Sequence, residues 1–384
     1  MARLGDVCKI QSGGTPSRAE SAYWYNGSIP WVKISDIKDK YLNNTEEHIT
    51  EAGLENSSAK IFPAGTILYT IFATLGETCI LNIDASTNQA IAGIQVESNL
   101  VFKEYLYYYL LSQKNAVSKM GRGVAQNNIN MKMLREFEIP LPPLEEQRRI
   151  AALLDKVSDL IAKRQAQLDK LDLLVKARFV EMFGDCKTNP KGWGTCCLED
   201  IAEVGSSKRV FVEELKEEGI PFYRGTEVGA LAEGSTITPE LFITKEHYEE
   251  LCNMSGKPKK GDLLMPSICP DGRIWLVDTD DPFYFKDGRV LWVHEISDKF
   301  DPVFLLYTLK DRIMTDYSSI ASGTTFAELK IFALKKCEIF NVPIELQRSF
   351  SSFIQSTNES KLTIQQSLDK LEILKKALMQ QYFG

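Results

Sequence analysis

Three histidines, His48, His247 and His294, are the only imidazoles in the chain, and their spacing is not that of metal ligands. Solvated or structural roles suit them better. Eight cysteines are scattered, with Cys196 and Cys197 adjacent, and none forms a C-x-x-C pair, which argues against a zinc knuckle. Gly256-Lys257 runs into Pro258 and lacks the upstream glycine of a phosphate-binding loop. Gly121-Arg122-Gly123 is not a dinucleotide fingerprint. Asp281-Pro282-Phe283-Tyr284 approaches the D-P-P-Y type motif with which DNA amino-methyltransferases hold a flipped base. Its second proline is missing and no glycine-rich cofactor loop precedes it. A turn leading into a strand at Phe283 is the plainer reading. Carboxylates abound, but no nuclease-like pair is followed by a suitably placed lysine. These residues point to a chain that binds rather than catalyses.

The elements that would position a binding site announce themselves as a repeat. Residues 143–184 align without a gap on 343–384, at an offset of 200. Pro143, Glu145, Gln147, Arg148, Leu168, Asp169, Lys170, Leu171, Leu174, Lys176, Ala177, Phe183 and Gly184 all recur in the second copy. Looser matches precede each copy: LGDVCKIQSG at Leu4 with LEDIAEVGSS at Leu198, IPWVKISDI at Ile29 with IPFYRGTEV at Ile220, and PAGTILYT at Pro63 with KKGDLLMP at Lys259. The chain therefore reads as a variable domain plus a helical segment, twice over: domains 1–142 and 186–341, helical segments 143–185 and 342–384.

The variable segments carry short β-rich runs such as Thr66–Phe72, bounded by Gly and Pro, and a helical stretch near Val101 to Met120. The repeated segments are helices. Pro142-Pro143 ends the preceding strand, and Glu145 and Glu146 place acid at the helix's positive end. Leu154, Ile161, Leu168, Val175 and Met182 recur every seven residues, with Ile150, Val157 and Leu171 at the companion position, interrupted by Arg164 and Arg178. Phe350, Ile364, Leu371 and Leu378 keep heptad spacing in the second copy. Gly184 and Gly384 supply the C-terminal stops. About 38 residues give a rod of roughly 57 Å. A long apolar stripe needs a partner of equal length, and the chain contains one. The expected fold is α+β: two α/β domains separated by two long helices that pair as an antiparallel coiled coil, with a pseudo-two-fold internal repeat.

Composition bounds the partners. The 384 residues are 44% hydrophobic and 25% charged, with a net charge of −7. No stretch is apolar enough for a transmembrane helix, and the N-terminus lacks a signal-like apolar run, so a cytoplasmic protein with reduced thiols and no membrane association is expected. Residues 1–140 hold 13 basic and 14 acidic groups (13 − 14 = −1), residues 141–185 hold 8 of each, residues 186–340 hold 19 and 26 (−7), and the last 44 hold 5 and 4 (+1). A strongly basic phosphate grip is therefore absent. If this chain works on DNA, a partner supplies much of the affinity.

The order variable domain, helix, variable domain, helix resembles the specificity subunit of type I restriction-modification systems, over essentially the whole chain. The strongest carriers are SGGTPSRAESAYWYNGSIPWVKISDI at Ser12–Ile37, IPLPPLEEQRRIAALLD at Ile139–Asp155 and LDKLDLLVKARFVEMFGD at Leu168–Asp185. The second half departs from the pattern, with Ser206-Ser207-Lys208-Arg209 where the first has Ser12-Gly13-Gly14-Thr15. The resemblance implies a non-catalytic subunit that recognises a bipartite target in double-stranded DNA, one part per target-recognition domain. It implies two methyltransferase subunits and the restriction (translocase and nuclease) subunits as partners. S-adenosylmethionine and ATP would be used by those partners, with no cofactor in this chain. A DNA-recognition module of another phage-defence system, or a coiled-coil interaction scaffold, remain the alternatives.

Reading base edges calls for Arg, Lys, Asn, Gln and Ser/Thr on exposed loops. The first domain offers Thr15, Arg18, Lys33, Ser35, Asp36, Asn88, Gln89, Arg122, Gln126 and Asn127. The second offers Lys208, Arg209, Arg224, Thr226, Glu227, Arg273, Arg289, Ser322, Thr324 and Thr325. Asn88 and Gln89 equally suit the satisfaction of buried backbone groups. Tyr23, Trp24 and Trp31 read as core aromatics rather than stacking platforms.

Overall fold

A computed structural model describes residues 1–114, 116–117, 128–322 and 327–384. The chain divides into two units: Met1–Ala166 with Ile364–Gly384, and Gln167–Thr363. Each contains one sheet-rich domain and one half of each long helix.

In the first unit a five-stranded sheet runs in the order Cys8–Ser12, Ile91–Val96, Ile67–Thr70, Thr78–Leu81, Tyr41–Leu42. Its centre is buried on both faces, which explains the unbroken apolar run there. Ile67 and Tyr69 join one core with the helix Lys103–Ser112, while Leu68 joins a second with Val32 and Phe62. A three-stranded sheet places Ile29–Val32 between Glu47–Ile49, antiparallel, and Ser86–Thr87, parallel. Ala2–Arg3 pairs with Glu138–Ile139 and so ties the domain's two ends together.

The second unit repeats this plan. Glu203–Gly205, Val290–His294, Leu263–Pro266 and Trp275–Leu276 form the larger sheet in the corresponding order, without the fifth strand. Ile220–Tyr223 lies between Phe242–Ile243, antiparallel, and Tyr284–Phe285, parallel. Thr195–Cys197 pairs with Glu338–Phe340. Leu263 and Met265 face one core and Leu264 the other, as in the first unit.

The long helices span Leu144–Phe183 and Ile344–Phe383. Gly184 and Gly384 stop them at φ +85° and +97°, and each donates its N–H to the carbonyl four residues back, on Val180 and Gln380. In the first unit Ile150, Ala151 and Leu154 share a core with Leu378, Met379 and Phe383. In the second, Val175, Phe179 and Phe183 share one with Leu346, Phe350 and Ile354. The start of one helix thus lies against the end of the other in both units: the pairing is antiparallel.

Leu154, Val175 and Phe350 are fully buried, whereas Ile161, Leu168, Ile364, Leu371 and Leu378 are half-buried, as befits a seam between only two helices. The heptad frame also carries the buried Leu368, together with Thr357, Lys361 and Lys375, three polar residues that an apolar pattern does not mark. Lys361 forms an ion pair with Asp172 inside the second unit. Burial pushes the Lys375 amine below its usual range, opposed by Asp155 and Glu372 in the first. Polar groups at seam positions fix register at some cost in stability.

One repeated residue locks each helix to its domain. Gln147 is fully buried; its Oε1 accepts from Phe102 N at 2.8 Å and its Nε2 donates to the carbonyls of Leu100 and Pro142, both at 2.8 Å. Gln347, also fully buried, accepts from Asp301 N at 2.8 Å and donates to Lys299 O at 3.2 Å and Val342 O at 2.7 Å. Phe102 and Asp301 are the N-caps of the helices Lys103–Ser112 and Pro302–Ile320. Each glutamine therefore ties the first turn of a long helix to the start of its domain's own helix.

Candidate nucleic-acid interface

In each unit the middle strand of the three-stranded sheet ends on a basic residue that opens a helix. Lys33 follows Val32 and precedes the single turn Ile34–Asp36. Arg224 follows Tyr223 and precedes Gly225–Ala232. In both cases the backbone N–H of the basic residue donates to the carboxylate three residues on, Asp36 or Glu227, at 2.8 Å. Asp36 and Glu227 are thus occupied in capping a helix start. Ser35 and Thr226, between cation and acid, are exposed in both units.

The basic side chains are held by acids from the neighbouring strand. Lys33 Nζ lies 2.9 Å from Glu46 and 3.0 Å from Glu47. Arg224 pairs with Glu227 and lies 3.1 Å from Glu240. Trp31 faces Glu47 and Pro221 faces Phe242 across the antiparallel pairs. Continuing those registers puts Glu46 opposite Val32 and Glu240 opposite Tyr223, so the two acids occupy matching sites. Hydrogen bonds from Lys33 hold the Glu46 carboxyl below its ordinary range, and Glu46 in turn raises the Lys33 amine. Burial opposes the charge on Glu227, but hydrogen bonds from the Arg224 side chain and backbone prevail and bring it to about 2.

The loop before this strand crosses beside the same corner. Gly13 and Gly14 donate to the carbonyls of Ile91 and Thr87, at 3.0 and 2.8 Å. A Cβ on Gly13 would fall 2.0 Å from Thr87 Oγ1 and one on Gly14 2.3 Å from the Ser58 backbone, so only glycine permits this approach. The second unit has serines there and packs differently. Ser206 Oγ donates to Val290 O and Ser207 Oγ to Phe285 O. After the loop, the Thr15 hydroxyl donates to Gln89, and Arg209 lies 3.7 Å from Asp287. Gln89 and Asp287 sit at corresponding places after the parallel strands Ser86–Thr87 and Tyr284–Phe285. Lys208 donates its backbone N–H to Tyr284 Oη.

Arg18 NH1 lies 2.6 Å from Glu47, and its guanidinium stacks 3.6 Å from the centre of the Trp24 ring. Trp24 meets the buried Trp31 edge-on at 5.0 Å, so these two rings are packing and a base for Arg18. Asn88 Oδ1 accepts from Ala90 N, a local turn contact. Around the helix Gly225–Ala232, Arg273 lies 2.8 Å from Asp271 and near Gly229, and Arg289 pairs with Glu328. Glu328 faces the exposed Ser322 across a short antiparallel strand pair. Arg122, Gln126, Asn127, Thr324 and Thr325 lie outside the described residues.

The structure thus gathers Thr15, Arg18, Lys33, Ser35, Asp36 and Gln89 at one corner of the first unit. Lys208, Arg209, Arg224, Thr226 and Glu227 occupy the matching corner of the second. The sequence reading missed Glu46, Glu47 and Glu240; their one signal was acid at or just before the start of the strand that follows each I-P motif. Among the described residues no His/Cys/Asp/Glu cluster could hold a metal, and no helix is long and apolar enough to cross a membrane. All eight thiols are free, and the D-P-F-Y segment puts Phe283 and Tyr284 in the core, with Tyr284 Oη 2.9 Å from Ser255 Oγ.

The duplicated scaffold has a counterpart among known families. The model of the type I restriction modification DNA specificity domain matches residues 1–171 and again 190–373. The chain belongs to this family. It is 28% identical over 403 residues to the MjaIX specificity subunit of Methanocaldococcus jannaschii, covering 98% of this chain and 90% of that one. Over 165 residues it is 33% identical to the EcoR124I/EcoR124II specificity subunit of Escherichia coli, covering 41% and 40% of the two chains. Its fold is shared with a chain solved in work on complex assembly and conformational transition of the type I R-M system, at a TM-score of 0.63 and 20% identity over 100% of this chain and 96% of that one. The S subunit of the M. genitalium type I system matches at a TM-score of 0.56 and 15% identity, over 100% and 95%. Each of the two matched segments falls within one copy of the variable domain and helix.

Proposed function

We propose that this chain is the non-catalytic address of a type I restriction-modification complex. Each domain reads one half of a bipartite target in double-stranded DNA, and the chain brings methyltransferase and restriction subunits to that site in the cytoplasm. Two methyltransferase subunits dock, one for each copy of the repeat. S-adenosylmethionine and ATP serve those partners, and this chain holds no cofactor of its own.

The observation that carries this reading is the recurrence of one corner in both units. Each corner joins a helix-opening cation, an exposed hydroxyl and a cross-strand acid on the same strand order. A base edge needs directional donors and acceptors held rigidly. Lys33 and Arg224 stand at strand ends capped by their own carboxylates, and Ser35 and Thr226 project beside them. The buried Gln147 and Gln347 fix each domain to the helices and so to the spacing between half-sites. The test is adenine-methylation mapping in cells expressing the chain with its methyltransferase partner. A gapped, two-part motif that disappears without this chain supports the reading; a continuous motif, or methylation independent of the chain, refutes it.

A further inference from the structure

The candidate guanidiniums among the described residues, Arg18, Arg209, Arg224, Arg273 and Arg289, all lie against carboxylates, as does Lys33. That is an unusual surface for a DNA reader, whose cations ordinarily await phosphates. The pairing is not incidental to sequence neighbours. Glu46, Glu47 and Glu240 reach their cations from the strand, or its approach, antiparallel to the one that carries Lys33 and Arg224, and continuing the two ladders puts Glu46 and Glu240 at matching places. Glu46 and Glu240 side chains are themselves 67% and 73% exposed, so neither is needed to fill a core.

We infer that Glu46, Glu47 and Glu240 are specificity determinants that work by holding Arg18, Lys33 and Arg224 away from indiscriminate phosphate contact. This rests on the proposed role in reading DNA. A duplex of random sequence offers phosphates at every position, and each cation that neutralises one releases counterions and adds affinity without information. An acid beside the cation cancels that gain and repels the backbone. A matching base edge accepts hydrogen bonds in the geometry the pair presents, so the correct sequence recovers affinity that the wrong one cannot.

The experiment uses the complex of this chain with its methyltransferase partner. Its probes are a duplex carrying the site mapped from methylation and a scrambled duplex of the same composition, each titrated from 50 to 200 mM salt. Glu46→Gln with Glu47→Gln frees two cations. The salt slope on the scrambled duplex should steepen by about 1.8, so the fourfold salt increase weakens binding by about an additional twelvefold. Scrambled binding at low salt rises, and the ratio of mapped to scrambled affinity falls by at least about threefold. Glu240→Gln should act in the same direction with a slope change of up to about 0.9. Glu181→Gln, which removes the partner of Arg178 on the long helix, should leave both duplexes unchanged. Wild-type slopes and ratios in the Glu46/Glu47 variant, while the wild-type complex still discriminates, overturn the inference alone. So does a loss confined to the mapped duplex, which would make the carboxylates base readers. A wild-type complex that binds both duplexes equally instead removes the proposed function itself.

Discussion

Replacing Gln347 by Met removes an amide while keeping the length of the side chain. Three backbone groups that it satisfies, Asp301 N–H, Lys299 O and Val342 O, are then left without partners around a residue with no solvent exposure. Each buried, unsatisfied group costs about 1–3 kcal/mol. Val342 O and Asp301 N lose short contacts, while the 3.2 Å contact to Lys299 O is the weakest of the three, so the sum is about 3–6 kcal/mol. That is comparable with the whole stability of a typical domain. Urea unfolding followed by tryptophan fluorescence reads it, because Trp193, Trp275 and Trp292 belong to the second unit and Trp24 and Trp31 to the first. With a slope of about 2 kcal/mol per molar urea, the second unit's midpoint should drop by about 1.5–3 M. Gln147→Met should do the same to the first unit. A midpoint shift below about 0.5 M would refute the reasoning, since the glutamine would then be filling space and not satisfying the backbone.

Arg224→Ala should weaken binding to the mapped site by about 1–3 kcal/mol and relax bases in one half-site only; equal losses on mapped and scrambled duplexes would make Arg224 a phosphate contact instead. The Glu227 carboxyl is lowered from 4.5 to about 2, so it stabilises the fold above its unfolded value and that contribution is lost as pH falls through this window. Acid titration of Glu227→Gln against the parent should show a stability gap at pH 6 that closes by about pH 2, and a gap that widens on acidification would contradict the assignment. Inserting seven helix-forming residues near Lys163 and seven near Thr363 keeps the heptad seam and lengthens each helix by about 10 Å. At about 3.4 Å per base pair the mapped gap should grow by roughly three base pairs with unchanged half-site bases. Affinity should fall, because the added base pairs also rotate one half-site around the duplex axis. Full activity at the original gap would show that the helices do not measure the DNA.

Much of the architecture was legible because helices and repeats are written locally. The offset of 200 residues, the heptads and the two terminal glycines needed no tertiary knowledge. The strand runs at Ile67 and Leu263 were readable as apolar stretches, but their burial between two cores was not. Gln147 and Gln347 stood in the repeat as matching letters; their role depends on carbonyls and amides that only folding brings to them, such as Leu100 and Lys299. Thr15 and Gln89 were both read as base-edge candidates, yet their contact spans 74 residues and follows from strand pairing. Glu46, Glu47 and Glu240 were passed over for a different reason. An acid is an unpromising DNA contact by itself, and only the folded strands bring each one beside a cation. Lys361 and Lys375 are polar, so an apolar pattern gives the extent of the second helix's seam but not these two of its positions.

The measurement that bears most directly on the account is methylation mapping of a chimera. Residues 194–340 would be replaced by the corresponding domain of another member of the family, leaving both long helices and the first domain intact. If each domain reads its own half-site, one half of the target changes to the donor's and the other half is retained. Changes in both halves, or in neither, would contradict it.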